Sequence, residues 1–139
     1  MTTMLLPPED EREIAALLLR YATGIDTRDW PLFRSCFTAG VRADYGAFGI
    51  WTDADHLTDS MRTMHSEMGP TLHRISNIVL TPTPDGARAR TYVDAVLMTA
   101  GPDDAYTQAL GLYEDELLHT PDGWRIDKRR FVPIRLSTG

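Results

Sequence analysis

The chain is short of the features that mark several common classes of protein. It has a single cysteine, Cys36, so no internal disulfide can form, and a reducing compartment, the cytoplasm by default, is expected. No window approaches the ~20 consecutive apolar residues of a spanning helix. The opening Met1-Thr-Thr-Met-Leu-Leu-Pro-Pro lacks the basic start and long apolar stretch of a secretory leader, and residues 1–8 are expected to be a loose arm. Basic side chains are outnumbered, 14 against 20 acidic, for a formal charge of -6. That balance repels phosphate backbones and anionic lipid headgroups, so neither nucleic acid nor a membrane is an expected partner.

The familiar motifs of metal, cofactor and nucleophile sites are also missing. The histidines, at 56, 65, 73 and 119, include no pair at HExxH or comparable ligand spacing. There is no GxSxG elbow, no phosphate-binding GxxxxGK[ST] loop and no GxGxxG turn. No metal and no cofactor are expected, and no internal repeat is visible.

What is present is the make-up of one ordinary globular domain, expected over residues 9–136: 139 residues, 42% hydrophobic and 24% charged. Ile14, Leu17, Leu18 and Tyr21 form the stripe of an amphipathic helix from Glu9 to about Gly24, which offers a place to turn. A second helix is predicted from Asp29 to Phe37, and Val41 to Trp51 reads as a short hairpin. Thr52 and Asp55 resemble a capping box that opens a third helix carrying Leu57, Met61 and Met64 towards Gly69-Pro70. Period-two runs at about 71–81, 87–100, 104–119 and 123–135, divided by Gly, Pro and Asp turns, then read as long hairpin-connected strands. Helices first and strands afterwards is an α+β order. The expected form is a cone-shaped barrel in which a curved, mainly antiparallel sheet wraps the helices around an enclosed pocket.

Several polar side chains fall where they could face that pocket: Tyr21, Asp26, Tyr45, His73 and Asp94. Alternation puts His73, Ile75, Asn77 and Val79 on one strand face, and Tyr92, Asp94, Val96 and Met98 on one face of the next. A polar group among apolar neighbours needs a partner or a solvated cavity. Each residue also has a structural reading. Tyr21 completes the helix stripe, Asp26 suits a turn or cap, a lone histidine is often simply satisfied, and Asp94 could pair with Arg88, Arg90 or Arg129. Spacing alone favours those structural readings.

Four segments shift that balance. Tyr21-Ala-Thr-Gly-Ile-Asp26-Thr-Arg-Asp-Trp30, Leu72-His73-Arg-Ile-Ser-Asn77, Gly111-Leu-Tyr-Glu-Asp115 and Gly123-Trp-Arg-Ile-Asp-Lys-Arg129 resemble the SnoaL-like branch of the nuclear-transport-factor-two-like superfamily. Within it the chain is most similar to the group of scytalone dehydratases, hexachlorocyclohexane dehydrochlorinases and bile-acid dehydratases. The resemblance implies a cystatin-like cone and a catalytic His73/Asp26 dyad, and places Tyr21, Tyr45 and Asp94 at the other active-site positions of the bile-acid enzymes. Arg129 falls at a functional arginine of the dehydrochlorinases, although the segment around it is also common in the fold as structure. The chain departs from scytalone dehydratase at Ile25, where that enzyme has a tyrosine, and at Asp94, where it has a second pocket histidine.

The implied activity is a cofactor-free lyase, a dehydratase in which His73 takes a proton beside a carbonyl and water leaves. Arg129, Asn77, Tyr92 and Met98 are the expected substrate contacts. A small hydrophobic carbonyl compound of steroid, terpenoid or polyketide type is the expected partner, and relatives imply a homodimer or homotrimer. An isomerase, a polyketide cyclase or a non-catalytic binding or accessory subunit is the alternative.

Overall fold

The amphipathic stripe at the start of the chain becomes α1, Pro8–Asp26, in a computed structural model that describes residues 5–139. Residues 1–4 of the expected arm lie outside the described residues, and Pro8 already belongs to the helix. Pro8 suits the first turn because its missing N–H would have no helical partner, and Glu9, Asp10 and Glu11 face the positive end of the helix dipole. Ile14, Leu17, Leu18, Tyr21 and Ile25 are buried. Gly24 is not the turn that the sequence suggested. The helix runs through it to Asp26, and the chain reverses at Arg28, which adopts a left-handed φ of 59°.

Gly24 instead allows a close approach. A Cβ there would lie 2.8 Å from the backbone nitrogen of Phe33 in α2, Trp30–Arg34. That helix is shorter than expected, because Phe37 opens strand β1, Phe37–Asp44. After the two-residue strand β2, Ile50–Trp51, helix α3 covers Ala54–Ser66. Its cap is Asp53 rather than Thr52: the carboxylate accepts the His56 N–H at 2.9 Å. Gly69 and Pro70 do not end α3 but lie within β3, Met68–Thr83.

β3 is followed by β4 (Gly86–Thr99), β5 (Tyr106–Thr120) and β6 (Gly123–Thr138). The six strands form one curved sheet in the order β2-β1-β6-β5-β4-β3. All neighbours are antiparallel except β1 and β6, which run parallel, so the sheet is mixed. It stays open, with β2 and β3 as free edges, and so forms a cone without closing as a barrel. Among the described residues no helix is long and apolar enough to cross a membrane.

Register decides which side chains face the helices. On β4 the buried residues are Ala87, Ala89, Thr91, Val93 and Ala95, so Tyr92, Asp94, Val96 and Met98 share the opposite, outer face. On β3 the expected inward row of His73, Ile75 and Asn77 breaks at a bulge. Ser76 pairs with Tyr92 but Val79 with Arg90, which puts an extra residue on β3, and Asn77 takes a φ of 51°. Beyond the bulge Ile78 and Leu80 pack on the core, while Asn77 and Val79 are exposed. The inner face also has a thin patch, because Ala95 lies directly opposite Ala109. Two methyl groups there leave open space over the sheet.

Replacing Gly24 with alanine should drive a methyl group into the backbone of α2. We expect Gly24→Ala to lose about 1–3 kcal/mol of stability, read as a lower urea midpoint with little change in slope.

Candidate active site

The end of α1 delivers Asp26 to the edge strand β3. Its carboxylate accepts the backbone N–H of His73 at 2.7 Å, the His73 ring nitrogen Nδ1 at 2.7 Å and the Thr71 hydroxyl at 2.9 Å. A carboxylate oxygen bonded this way can only accept, so the imidazole carries its hydrogen on Nδ1. Nε2 is then the ring nitrogen left for a molecule in the cavity that His73 lines. Burial alone would raise the Asp26 carboxyl, but the His73 ring, the His73 backbone N–H and the Thr71 hydroxyl outweigh it and hold the group below its usual value.

Arg28 braces this arrangement from the turn. Its guanidinium donates to Thr71 Oγ1 at 2.7 Å, to the Gly69 carbonyl at 2.8 Å and to the Ile25 carbonyl at 2.9 Å. The chain Arg28 to Thr71 to Asp26 to His73 therefore ties the helix exit to the strand. Neither Arg28 nor Thr71 stood out in the sequence, because the contacts that join the helix exit to β3 span more than 40 positions.

A second polar group forms the wall beneath. The Tyr21 and Tyr45 hydroxyls lie 2.9 Å apart, and the Tyr113 ring packs edge-on against the Tyr21 ring at 5.7 Å. Arg129 lies behind them. Its guanidinium makes a bidentate pair with Asp115 at 2.8 and 2.9 Å, and its centre sits 4.2 Å from the Tyr21 ring and 3.8 Å from the Tyr113 ring. Burial pushes all three phenols up, against the pull of Arg129, so they remain O–H donors at neutral pH.

These groups border a cavity of about 90 Å3 lined also by Ile25, Met61, His65, Val93, Ala95, Ala109 and Phe131. Phe48, Met64, Met68 and Leu97 complete the lining and are partly exposed. Tyr21, Tyr45 and His73 thus share one apolar space, with Asp26 directly behind the imidazole. Tyr113 and His65 belong to the same lining and were missed. Their only sequence signals were alternation with Asp115 on β5 and the Leu57, Met61, His65 spacing on α3.

The other expected site residues lie elsewhere. Asp94 is on the outer face, accepting from Gln108 at 3.0 Å and from Arg74 at 2.6 Å. Those hydrogen bonds, the Gln108 amide first, keep its carboxyl below the usual value. Tyr92 and Met98 share that face, and Asn77 is exposed at the bulge. Arg129 is 2% exposed and reaches the cavity only through the tyrosine rings. The cause is the same throughout β4: a period of two does not say which face turns inward, and the row that does is Ala87, Ala89, Thr91, Val93 and Ala95. Two larger hollows, of about 470 and 970 Å3, lie elsewhere on the sheet: the first is lined mainly by charged side chains, and the second is bordered by His73 together with Arg74, Tyr92 and Asp94, so His73 also faces the side on which Asp94 lies. Among the described residues, the His and carboxylate group compact enough to hold an ion is Asp10, Glu13 and His119. It lies outside the cone, and Asp10 already accepts the Trp124 indole N–H at 3.1 Å.

The sequence model of the SnoaL-like domain matches residues 8–130. The chain belongs to the SnoaL-like family. An uncharacterized protein of Mycobacterium tuberculosis is 30% identical over 122 residues, covering 86% of this chain and 82% of that protein. A candidate scytalone dehydratase from Novosphingobium aromaticivorans superposes with a TM-score of 0.84 at 17% identity, over 93% of this chain and 87% of its own. A hexachlorocyclohexane dehydrochlorinase from Novosphingobium barchaimii does so with a TM-score of 0.83 at 13% identity, over 94% and 90%. At such identities the two structures speak for the fold, and the cone of this SnoaL-like domain is theirs as well.

The depressed Asp26 carboxyl has a consequence for acid stability. A group whose folded pKa lies below its unfolded value adds stability above the ordinary carboxylate range and loses it as pH falls through the folded value. In urea titrations across about pH 2–7, the stability difference between wild type and Asp26→Asn should therefore shrink below about pH 4.

Proposed function

We propose that this SnoaL-like domain is a dehydratase that needs no cofactor, with His73 as the base and Asp26 as its orienting partner. The observation that carries this reading is the 2.7 Å contact between His73 Nδ1 and Asp26, with the same imidazole lining an apolar cavity. Nε2 takes a proton from a carbon next to a carbonyl. The electron pair moves towards the carbonyl oxygen and, as the double bond forms, expels a β-hydroxyl, which takes the proton back from the His73 imidazolium and leaves as water, so the ring returns to its neutral form. Asp26 stabilises the imidazolium while it lasts and keeps the tautomer correct.

The tyrosine pair suits the other end of the substrate. Of two hydroxyls bonded to one another, one proton is used between them and one remains for the carbonyl oxygen as it becomes enolate-like. The Arg129 guanidinium against the rings of Tyr21 and Tyr113 favours negative charge at that oxygen without touching it. Asp94, Asn77, Tyr92 and Met98 have no part in this scheme, and Arg129 acts through the tyrosines.

Cavity size narrows the substrate. About 90 Å3 is well below the ~300–1,000 Å3 of most ligand pockets, so a single ring with short substituents fits better than a fused steroid. Met61, Met64 and Met68 supply the adaptable part of the lining. Neighbours named as a dehydratase and a dehydrochlorinase favour elimination over isomerisation or cyclisation with the same base.

The test is turnover of small cyclic β-hydroxy ketones followed by mass, because dehydration alone loses water. His73→Ala is expected to lower kcat about 10²- to 10⁴-fold and Tyr45→Phe about 10²-fold or more, each with a native circular dichroism spectrum. A folded His73→Ala protein with full activity would remove the dyad from the mechanism.

A further inference from the structure

His65 is a polar residue of the cavity lining that the elimination does not use. It sits on α3, is 5% exposed, and lines the same cavity as His73, Tyr21 and Tyr45. Its Nδ1 bonds the backbone carbonyl of Met61, one helical turn back, at 2.8 Å. The Trp30 ring packs across it, with centres 5.8 Å apart. Its Nε2 is fully buried and has no hydrogen-bond partner among the described residues.

These contacts determine what Nε2 can do. A carbonyl oxygen only accepts, so the hydrogen of the neutral ring is on Nδ1 and Nε2 presents a lone pair. Burial lowers the His65 pKa, and although the Met61 carbonyl and Asp26 oppose it, the nearby Arg28 and His73 act with the burial. The ring is therefore neutral at neutral pH and Nε2 is an acceptor. Among the described residues no donor reaches it, and Met61, Met64 and Ile25 in the same lining offer none. A buried acceptor without a donor is unfavourable and is relieved by a ligand that brings one.

We propose that His65 Nε2 is a subsite that binds a hydroxyl group of the substrate, which makes the ligand class small hydroxylated rings rather than plain hydrocarbons or halocarbons. This rests on the reading of the cone as a substrate pocket. The group it binds is held, not expelled: a neutral Nδ1–H imidazole has no proton on Nε2 to give a leaving oxygen. His65 is in this sense a specificity residue, while the proton transfers belong to His73 and the tyrosines. The arrangement also gives the cavity two kinds of polar end, a donor at the tyrosine pair and an acceptor at His65. A ring carrying both a carbonyl and a hydroxyl satisfies both.

The test uses phenol and toluene, two rings of nearly equal size of which only phenol donates. In long-range proton–nitrogen NMR spectra of the full chain at neutral pH, His65 is expected as the Nδ1–H tautomer, and phenol should shift its Nε2 resonance. By calorimetry, His65→Phe should reduce the preference for phenol over toluene about tenfold, and His65→Gln, whose amide oxygen can accept, should restore part of it. A His65 that is charged or protonated on Nε2, or a phenol to toluene ratio equal in wild type and His65→Phe, overturns the proposal. The NMR measurement on wild type stands even if a variant fails to fold. A protein that shows the subsite but turns over no β-hydroxy ketone keeps this proposal and loses the elimination.

Discussion

One carboxylate holds the site together. Asp26 stands at the last position of α1 and takes three donors from β3, two of them from His73. β3 is a free edge of the sheet, so N–H groups on its outer side lack a strand partner. The N–H of His73 finds Asp26 instead, and the carbonyl of Gly69 finds Arg28. The turn after α1 thereby covers part of an exposed edge, docks the helix on the sheet and sets the imidazole, all with the same few bonds. Loss of Asp26 would affect the fold and the chemistry together, which is why pH-dependent stability and turnover are informative side by side.

The space in front of that imidazole has its own cause. Sheets that pack on helices usually fill the gap with branched side chains, but here Ala95 and Ala109 face each other across β4 and β5. The floor beside them is rigid for the opposite reason. Arg129 and Asp115 are buried together, and a buried ion pair is costly unless its geometry is good. The bidentate contact and the two aromatic faces supply that geometry. Small residues make the cavity, and a fixed charge beneath the tyrosines makes one wall of it polar without opening it to water.

In the proposed scheme two histidines in one cavity take different roles through the partner of Nδ1. A carboxylate behind His73 fixes the ring hydrogen on Nδ1 and suits a base that takes up a proton on Nε2. A helix carbonyl behind buried His65 leaves it neutral and suits an acceptor. Residue type alone does not distinguish them.

By itself the sequence determined the helices-then-strands order, the amphipathic first helix, the long hairpin-linked strands and, through the four motif segments, the family. Those are properties of local periodicity and turn residues, and they need no knowledge of distant partners. It also brought out His73, Asp26, Tyr21 and Tyr45, which the fold gathers at one cavity. Only the tertiary structure decided which face of β4 turns inward, because a period of two is the same from either side. That choice moved Asp94, Tyr92 and Met98 outside. The bulge that exposes Asn77 is a register shift against β4 and leaves no trace in alternation. Arg28, Thr71, Tyr113 and His65 became visible only once residues far apart in the chain were brought within hydrogen-bonding and packing distance.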